Sequence, residues 1–212
     1  MSHVYDYSEL LIPHPTPENF QQLWDSKKEN VPASSGRVHL ENGCGSGRYL
    51  IEWAQENPKD AFIGLELRYK RLVLAAKKIE QQTISNIILM REHGEFIDEY
   101  LPHNIIDCMH INFPDPWSKK ARRKHRILSA DFLAKMHPYF RSSGELRFKT
   151  DHLEYFETIT EILQKLENYK IVEHTTDLQR SNYIENNILT EFEMLFKSKG
   201  NPPIGYLCAV TL

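Results

Sequence analysis

The chain has 212 residues, 41% hydrophobic and 26% charged, with a formal net charge of -3 at pH 7, which suits one domain with a buried core and is short for two. These proportions are near globular averages and exclude wholesale disorder, and no apolar run reaches the roughly 20 residues of a membrane helix. The start, MSHVYDYSEL, lacks a charged segment followed by an apolar one, so no secretory signal is expected and the cytoplasm is the expected compartment.

Residues 1–36 carry Pro13, Pro15, Pro17 and Pro32 among aromatic and polar groups, and they read as an extended N-terminal arm with one short helix near Phe20 to Lys28. Residues 37–212 read as one domain. There RVHLE predicts a strand, SGRYLIEWAQEN a helix, AFIGLEL a strand, and YKRLVLAAKKIEQQ a helix with apolar residues at helical spacing. NIILM, NIIDCMHI and GELRFKT predict further strands, each followed by a helix: EFIDEYL, RILSADFLAKMHPYF and HLEYFETITEILQKL. YKIVEHTT and GYLCAVTL close the chain as two strands without a long helix between them.

This strand-then-helix alternation, with short connections and apolar strand centres, predicts an α/β fold: a mostly parallel, doubly wound sheet between helices, with an antiparallel edge. Such sheets bind ligands outside the carboxyl ends of their strands, where strand order reverses. The loops after the strands are therefore the place for chemistry.

The first of these loops, LENGCGSGR, has Gly43, Gly45 and Gly47 spaced two apart between a strand and a helix. Glycines there permit a tight turn and close approach of a ligand. A nicotinamide-dinucleotide fingerprint requires glycine where Arg48 stands, so an NAD-dependent oxidoreductase fits only in part. The E-x-G-x-G-x-G form suits S-adenosyl-L-methionine, whose ammonium Glu41 can meet. Glu66 follows 25 residues after Glu41, where an acidic side chain accepts from ribose hydroxyls. Cys44 reads as a small filler of the turn.

The strand NIIDCMHI leads into NFPDPWSKKARRKHR. In a doubly wound sheet the first and fourth strands are neighbours, so Asp115 is expected opposite the glycine loop. Pro114 and Pro116 hold it with little freedom, and Trp117 can wall a pocket. Lys119, Lys120, Arg122, Arg123, Lys124 and Arg126 follow within eight residues. A cluster this dense on a near-neutral chain predicts a phosphate-binding patch and a nucleic-acid partner. A noncatalytic RNA-binding protein on the same fold is the alternative from another class. Cys44, Cys108 and Cys208 are odd in number and widely spaced, and the histidines are scattered, so neither a disulfide framework nor a metal is expected.

ENGCGSGR, GLELR, NFPDPWSKKARRKHR, FKTD and ILTEFE, in this order and spacing, resemble the bacterial tRNA (guanine-N(7)-)-methyltransferases of the TrmB type over roughly Val38 to Phe196. The resemblance implies a Rossmann-like class I methyltransferase that moves a methyl group from S-adenosyl-L-methionine to N7 of guanine in tRNA, at variable-loop position 46 in the family. It implies cofactor contacts from Glu41, Glu66 and Asp115, with Asp115 also catalytic, and substrate contacts from Lys119, Asp151 and the stretch Thr190, Glu191, Phe192, Glu193. His93 stands where the family commonly has an aspartate at adenine, so this contact falls to His93, to Glu92 or to a backbone amide. Ser118 replaces a frequent proline, and Ala121 a frequent basic residue. The oligomeric state is left open.

Overall fold

The structure, a computed structural model, describes residues 7–28, 36–197, 200 and 202–212. The parts of the expected arm at 1–6 and 29–35, Pro32 among them, lie outside the described residues. Two compact units divide the chain, Met1–Tyr100 and Leu101–Leu212.

The first unit contains β1 (Leu11–Ile12), α1 (Pro17–Lys28), β2 (Val38–Asn42), α2 (Arg48–Glu56), β3 (Ala61–Leu65), α3 (Tyr69–Gln81) and β4 (Ile87–Met90). Its strands run in the order β1-β4-β3-β2, all parallel. β3 and β4 are apolar on both faces, as strands covered on both sides must be. α2 supplies Leu50, Ile51 and Ala54, and α3 supplies Leu72, Ala75, Ala76 and Ile79, to a core with Phe62, Ile87 and Leu89. That three-and-four spacing is the buried stripe of an amphipathic helix.

The short helix expected near Phe20 to Lys28 is present as α1, which begins at Pro17, while the expectation of an arm that is otherwise extended is corrected over residues 7–16. Leu11, Ile12, Phe20, Leu23 and Trp24 are buried, and Leu11 pairs with Leu89 of β4. α1 starts at Pro17 because of a reciprocal cap: the Asn19 amide donates to Thr16 Oγ1 (3.2 Å) and the Thr16 amide to Asn19 Oδ1 (2.8 Å), with proline at the first helical position. EFIDEYL forms a 3-10 helix, Gly94–Glu99, instead of an α-helix. The Phe96 amide donates to the His93 carbonyl (2.9 Å) and the Tyr100 amide to the Ile97 carbonyl (3.1 Å), the i to i+3 bonds of a 3-10 turn.

The second unit contains β5 (Ile106–Asn112), a 3-10 turn at Lys120–His125, α4 (Ala130–Met136), β6 (Phe140–Thr150), α5 (Leu153–Lys165), β7 (Tyr169–Thr175), α6 (Glu191–Lys197) and β8 (Gly205–Thr211). β5 and β6 are parallel, whereas β8 runs antiparallel to both β6 and β7. The antiparallel edge predicted for the two tail strands is present. α4 is shorter than RILSADFLAKMHPYF predicts. Ser129 Oγ accepts from the Phe132 amide (3.1 Å) and starts the helix at Ala130, and Pro138 ends it. α6 is an element that sequence periodicity did not predict. Among the described residues, no helix is long and apolar enough to cross a membrane.

Candidate active site

In the first unit the candidate residues gather at the carboxyl ends of three neighbouring strands. Asn42 pairs with Leu65 and Leu65 with Met90, so the loops beginning at Gly43, Glu66 and Arg91 start side by side. The amides of Gly43 and Cys44 both donate to the Leu65 carbonyl (2.9 and 2.8 Å), and the Gly47 amide donates to the Cys44 carbonyl (2.9 Å). Lys78 Nζ reaches across from α3 to Ser46 O (2.9 Å) and Ser46 Oγ (3.0 Å). The turn is thus pinned on two sides.

All three glycines take positive φ, +85° at Gly43, +58° at Gly45 and +81° at Gly47, a region that side chains disfavour. Their surroundings differ. A Cβ on Gly47 would lie 2.9 Å from the Ala75 methyl, and one on Gly45 would lie 2.7 Å from the Arg71 guanidinium, but one on Gly43 would meet nothing within 4 Å. Gly47 lets α2 approach α3, and Gly43 faces open space in the turn that leads into α2.

Glu41, at 3% exposure, lies on β2 just before this turn. Burial pushes the Cys44 thiol well above its ordinary range, and the charges of Glu41 and Glu66 push it further. A thiol so protonated is no nucleophile at neutral pH, in agreement with its expected role as a filler. Glu66 is half-buried, with Oε1 accepting from the Arg68 amide (2.8 Å), which orients its carboxylate. His93 caps the 3-10 turn, its Nδ1 accepting from the Glu95 amide (3.3 Å), so the neutral ring carries its proton on Nε2. The ring is 40% exposed. Glu92 takes the His93 amide on one oxygen (2.7 Å) and the Tyr100 hydroxyl on the other (2.8 Å). Burial and this bond to Glu92 raise Tyr100 to about 12.

In the second unit β5 opens into Asn112–Trp117. Phe113 (φ +49°) and Trp117 (φ +41°) both occupy the left-handed region, a costly placement for bulky side chains that concentrates at functional loops. Pro114, an exposed Asp115 and Pro116 lie between them. Arg126 clamps the far end of the loop. Its Nε donates to the Pro116 carbonyl (2.7 Å), its Nη2 donates to Glu154 (2.7 Å), and its guanidinium lies 4.3 Å from the Tyr155 ring centroid. At 7% exposure, Arg126 is a brace and not a surface cation, unlike the other members of the expected phosphate patch. Lys119, Lys120, Arg122 and Lys124 are exposed, and Arg123 is paired with Glu154 at 2.9 Å. Ser118 Oγ lies 3.3 Å from His152 Nε2. Because His152 Nδ1 accepts from the Tyr155 amide (3.2 Å), Nε2 is the protonated nitrogen and donates to Ser118.

Asp151 is exposed just beyond β6. The stretch Thr190 to Glu193 divides. The Glu193 amide donates to Thr190 Oγ1 (3.1 Å) and the Thr190 amide to Glu193 Oε2 (2.8 Å), a capping box at the start of α6. Glu193 also accepts from Asn187 Nδ2 on Oε1 (2.8 Å) and from Lys149 Nζ on Oε2 (3.0 Å). Thr190 and Glu193 are thus committed internally, whereas Phe192 is 47% exposed and Glu191 is half-buried. The capping pattern was legible in TEFE. The burial of Lys149 had no signal in the sequence.

Comparison with known proteins adds to this geometry. A family described as "Putative methyltransferase" matches residues 35–205. The chain is 36% identical over 169 residues to a tRNA (guanine-N(7)-)-methyltransferase of Mycoplasma pneumoniae, covering 78% of this chain and 80% of that protein. It is 34% identical over 185 residues to the protein of the same name from Enterococcus faecalis (87% and 83%). A bifunctional glycosyltransferase/methyltransferase of Fusobacterium nucleatum is 42% identical over 182 residues, where the chain covers 28% of that protein's length. Among solved structures, the 16S rRNA methyltransferase KamB superposes with a TM-score of 0.64 at 14% identity, covering 90% of this chain and 93% of that one. An rRNA methylase from Streptococcus thermophilus gives 0.57 at 13% identity, with 95% and 99% covered. These two likenesses show a shared Rossmann-like α/β fold.

Proposed function

The chain belongs to the tRNA (guanine-N(7)-)-methyltransferase family, and from that premise we propose that it methylates N7 of a guanine in tRNA, with S-adenosyl-L-methionine as donor. The observation that carries this reading is the extent of the family match: residues 35–205 include both the glycine turn and the Asp115 loop. A cytoplasmic location belongs to the same reading.

The residues of the first unit fit such a donor. Gly43 offers open space in the glycine turn for a carboxylate, Glu41 brings a negative charge to the same turn for an ammonium, and the fixed carboxylate of Glu66 suits a ribose diol. The Nε2–H of His93 suits an acceptor nitrogen of adenine. When bound, the cofactor supplies an electrophilic methyl on a sulfonium sulfur.

Guanine N7 is an acceptor with an available lone pair, so no base is needed to deprotonate it. Placement and charge stabilisation are what the protein must supply. Positive charge develops on the purine during transfer, and Asp115, held between two prolines, stabilises it electrostatically. The N1–H and exocyclic amine of guanine can donate together to one carboxylate. Asp151 or Glu191 takes that role, since both oxygens of Glu193 are engaged. Adenine would leave this carboxylate without its second donor. Lys119, Lys120, Arg122 and Lys124 hold phosphates, positioning the RNA without reading its sequence.

The test is radiolabelled methyl transfer to an unmodified tRNA transcript, followed by nucleoside analysis. Label in 7-methylguanosine is expected. Label in another nucleoside, or no transfer at all, overturns the reading.

A further inference from the structure

Lys149 joins the Asp115 loop to the segment that leads into α6, although within FKTD no role was read for it. Its main-chain carbonyl accepts from the Phe113 amide (2.8 Å), extending the β5–β6 ladder into the loop that carries Asp115. Its ammonium donates to Glu193 Oε2 (3.0 Å), Asn187 Oδ1 (2.9 Å) and the Ile188 carbonyl (3.1 Å), so all three protons are used. Asp151 follows two residues on. Phe192, next to Glu193, stacks on Phe113 with ring centroids 5.7 Å apart and an interplanar angle of 24°. The contacts form a closed circuit: Lys149 to Phe113, Phe113 to Phe192, and Glu193 back to Lys149.

Both partners of the charge pair are only 3% exposed. A buried ion pair is a poor source of stability, since an apolar pair of similar volume often does as well. Its advantage over apolar contacts is direction. Three hydrogen bonds fix where α6 begins, and that start determines where Phe192 lies relative to Phe113, two residues from Asp115. An exposed aromatic ring held in one place, against a ring two residues from Asp115, is what an unstacked base needs as a platform.

We propose that Lys149 is a positioning residue, which through Glu193 and Asn187 holds Phe192 against Phe113 as a stacking platform for the target guanine. This rests on the tRNA guanine methylation reading above. Lys149 does not touch substrate itself and acts on turnover through Phe192.

The test is a double-mutant cycle on turnover with an unmodified tRNA transcript and saturating S-adenosyl-L-methionine, run well below the unfolding midpoint of every variant. Lys149→Met is expected to lower kcat at least about tenfold while leaving cofactor affinity, measured by calorimetry, within about twofold. In a Phe192→Ala background the same change is expected to lower kcat by less than about threefold, because the platform is already gone. Equal losses in the two backgrounds, or Lys149→Met turnover within about threefold of wild type, overturn the proposal. If Lys149→Met does not fold, Asn187→Ala goes through the same cycle under the same criteria. It removes one acceptor of Lys149 and one donor to Glu193 but keeps the charge pair. Failure of the wild-type protein to methylate tRNA would overturn the function reading, and this one with it. Intact wild-type transfer with additive losses overturns this one alone.

Discussion

Asp115 sits between two prolines, themselves flanked by Phe113 and Trp117 at positive φ. Each bulky residue so placed costs on the order of 1–3 kcal/mol, and the hydrogen bonds from Arg126 to Pro116 and Glu154 help to hold the loop in that shape. The strain is useful if the carboxylate must be in place before charge develops. Asp115→Asn is therefore expected to lower single-turnover methyl transfer by about 100-fold or more, as loss of a preorganised electrostatic group does, with tRNA affinity by filter binding changed little. Near-normal transfer would remove Asp115 from the chemistry. The brace has its own signature in pH. The hydrogen bond from Arg126 is the main cause holding Glu154 below its ordinary 4.5, opposed by burial and helped by the charges of Arg126 and Arg123 and by the Thr158 hydroxyl. A carboxyl group depressed on folding stabilises the native state above its unfolded pKa, and this contribution is lost as pH falls through the folded value. Thermal melts between about pH 5 and about pH 3 are expected to show wild type losing more stability than Glu154→Gln. Parallel losses would mean the brace contributes nothing.

Short elements account for most of what the sequence hid. α2, α3 and α5 were legible because each buries a regular apolar stripe, and β3 and β4 because their residues are apolar throughout. α6 has seven residues and too little length to show a period, so its capping box was the available signal. The two-residue β1 likewise gave no alternation to read, and its burial comes from pairing with β4. Thr190→Ala is expected to lower global stability by about 1 kcal/mol, the usual cost of losing an N-cap, measured as a shift in denaturant midpoint. The basic turn before α4 tests a different property. Lys119→Ala and Arg122→Ala, both at exposed positions, should each reduce the slope of log K for tRNA against log salt by about 1. Arg126→Ala should lower stability with the salt slope unchanged, since its guanidinium is spent on Pro116, Glu154 and Tyr155. An equal fall in slope for Arg126→Ala would place it with the surface cations.

For the molecule as a whole, the sequence motifs located each group of candidate residues but not the use made of each one. Glycine spacing and strand-end acids were readable because they follow from local chain direction. The capping box between Thr190 and Glu193 is local and readable, but the commitment of Arg126 to Glu154 and of Glu193 to Lys149 depends on partners far away in the sequence, and no local pattern encodes that. Of the groups proposed for the cofactor, Glu41, Gly43, Glu66 and His93 fall within Met1–Tyr100, while Asp115, to which the family resemblance also gives a cofactor contact, falls with the groups proposed to meet RNA within Leu101–Leu212. The two binding functions should therefore be separable by mutation. A ligand that binds only the native state stabilises it by about 2.7 kcal/mol at a hundred times its Kd, so S-adenosyl-L-methionine at that excess should raise the melting temperature of the wild-type protein. Glu66→Ala is expected to abolish most of that rise while tRNA binding stays near wild type, and Lys119→Ala to keep the rise while weakening tRNA binding at physiological salt. If Glu66→Ala melts with the full cofactor-induced increase, the ribose carboxylate has been misassigned. If it instead loses tRNA binding in proportion, the division of labour between the two halves of the chain is wrong.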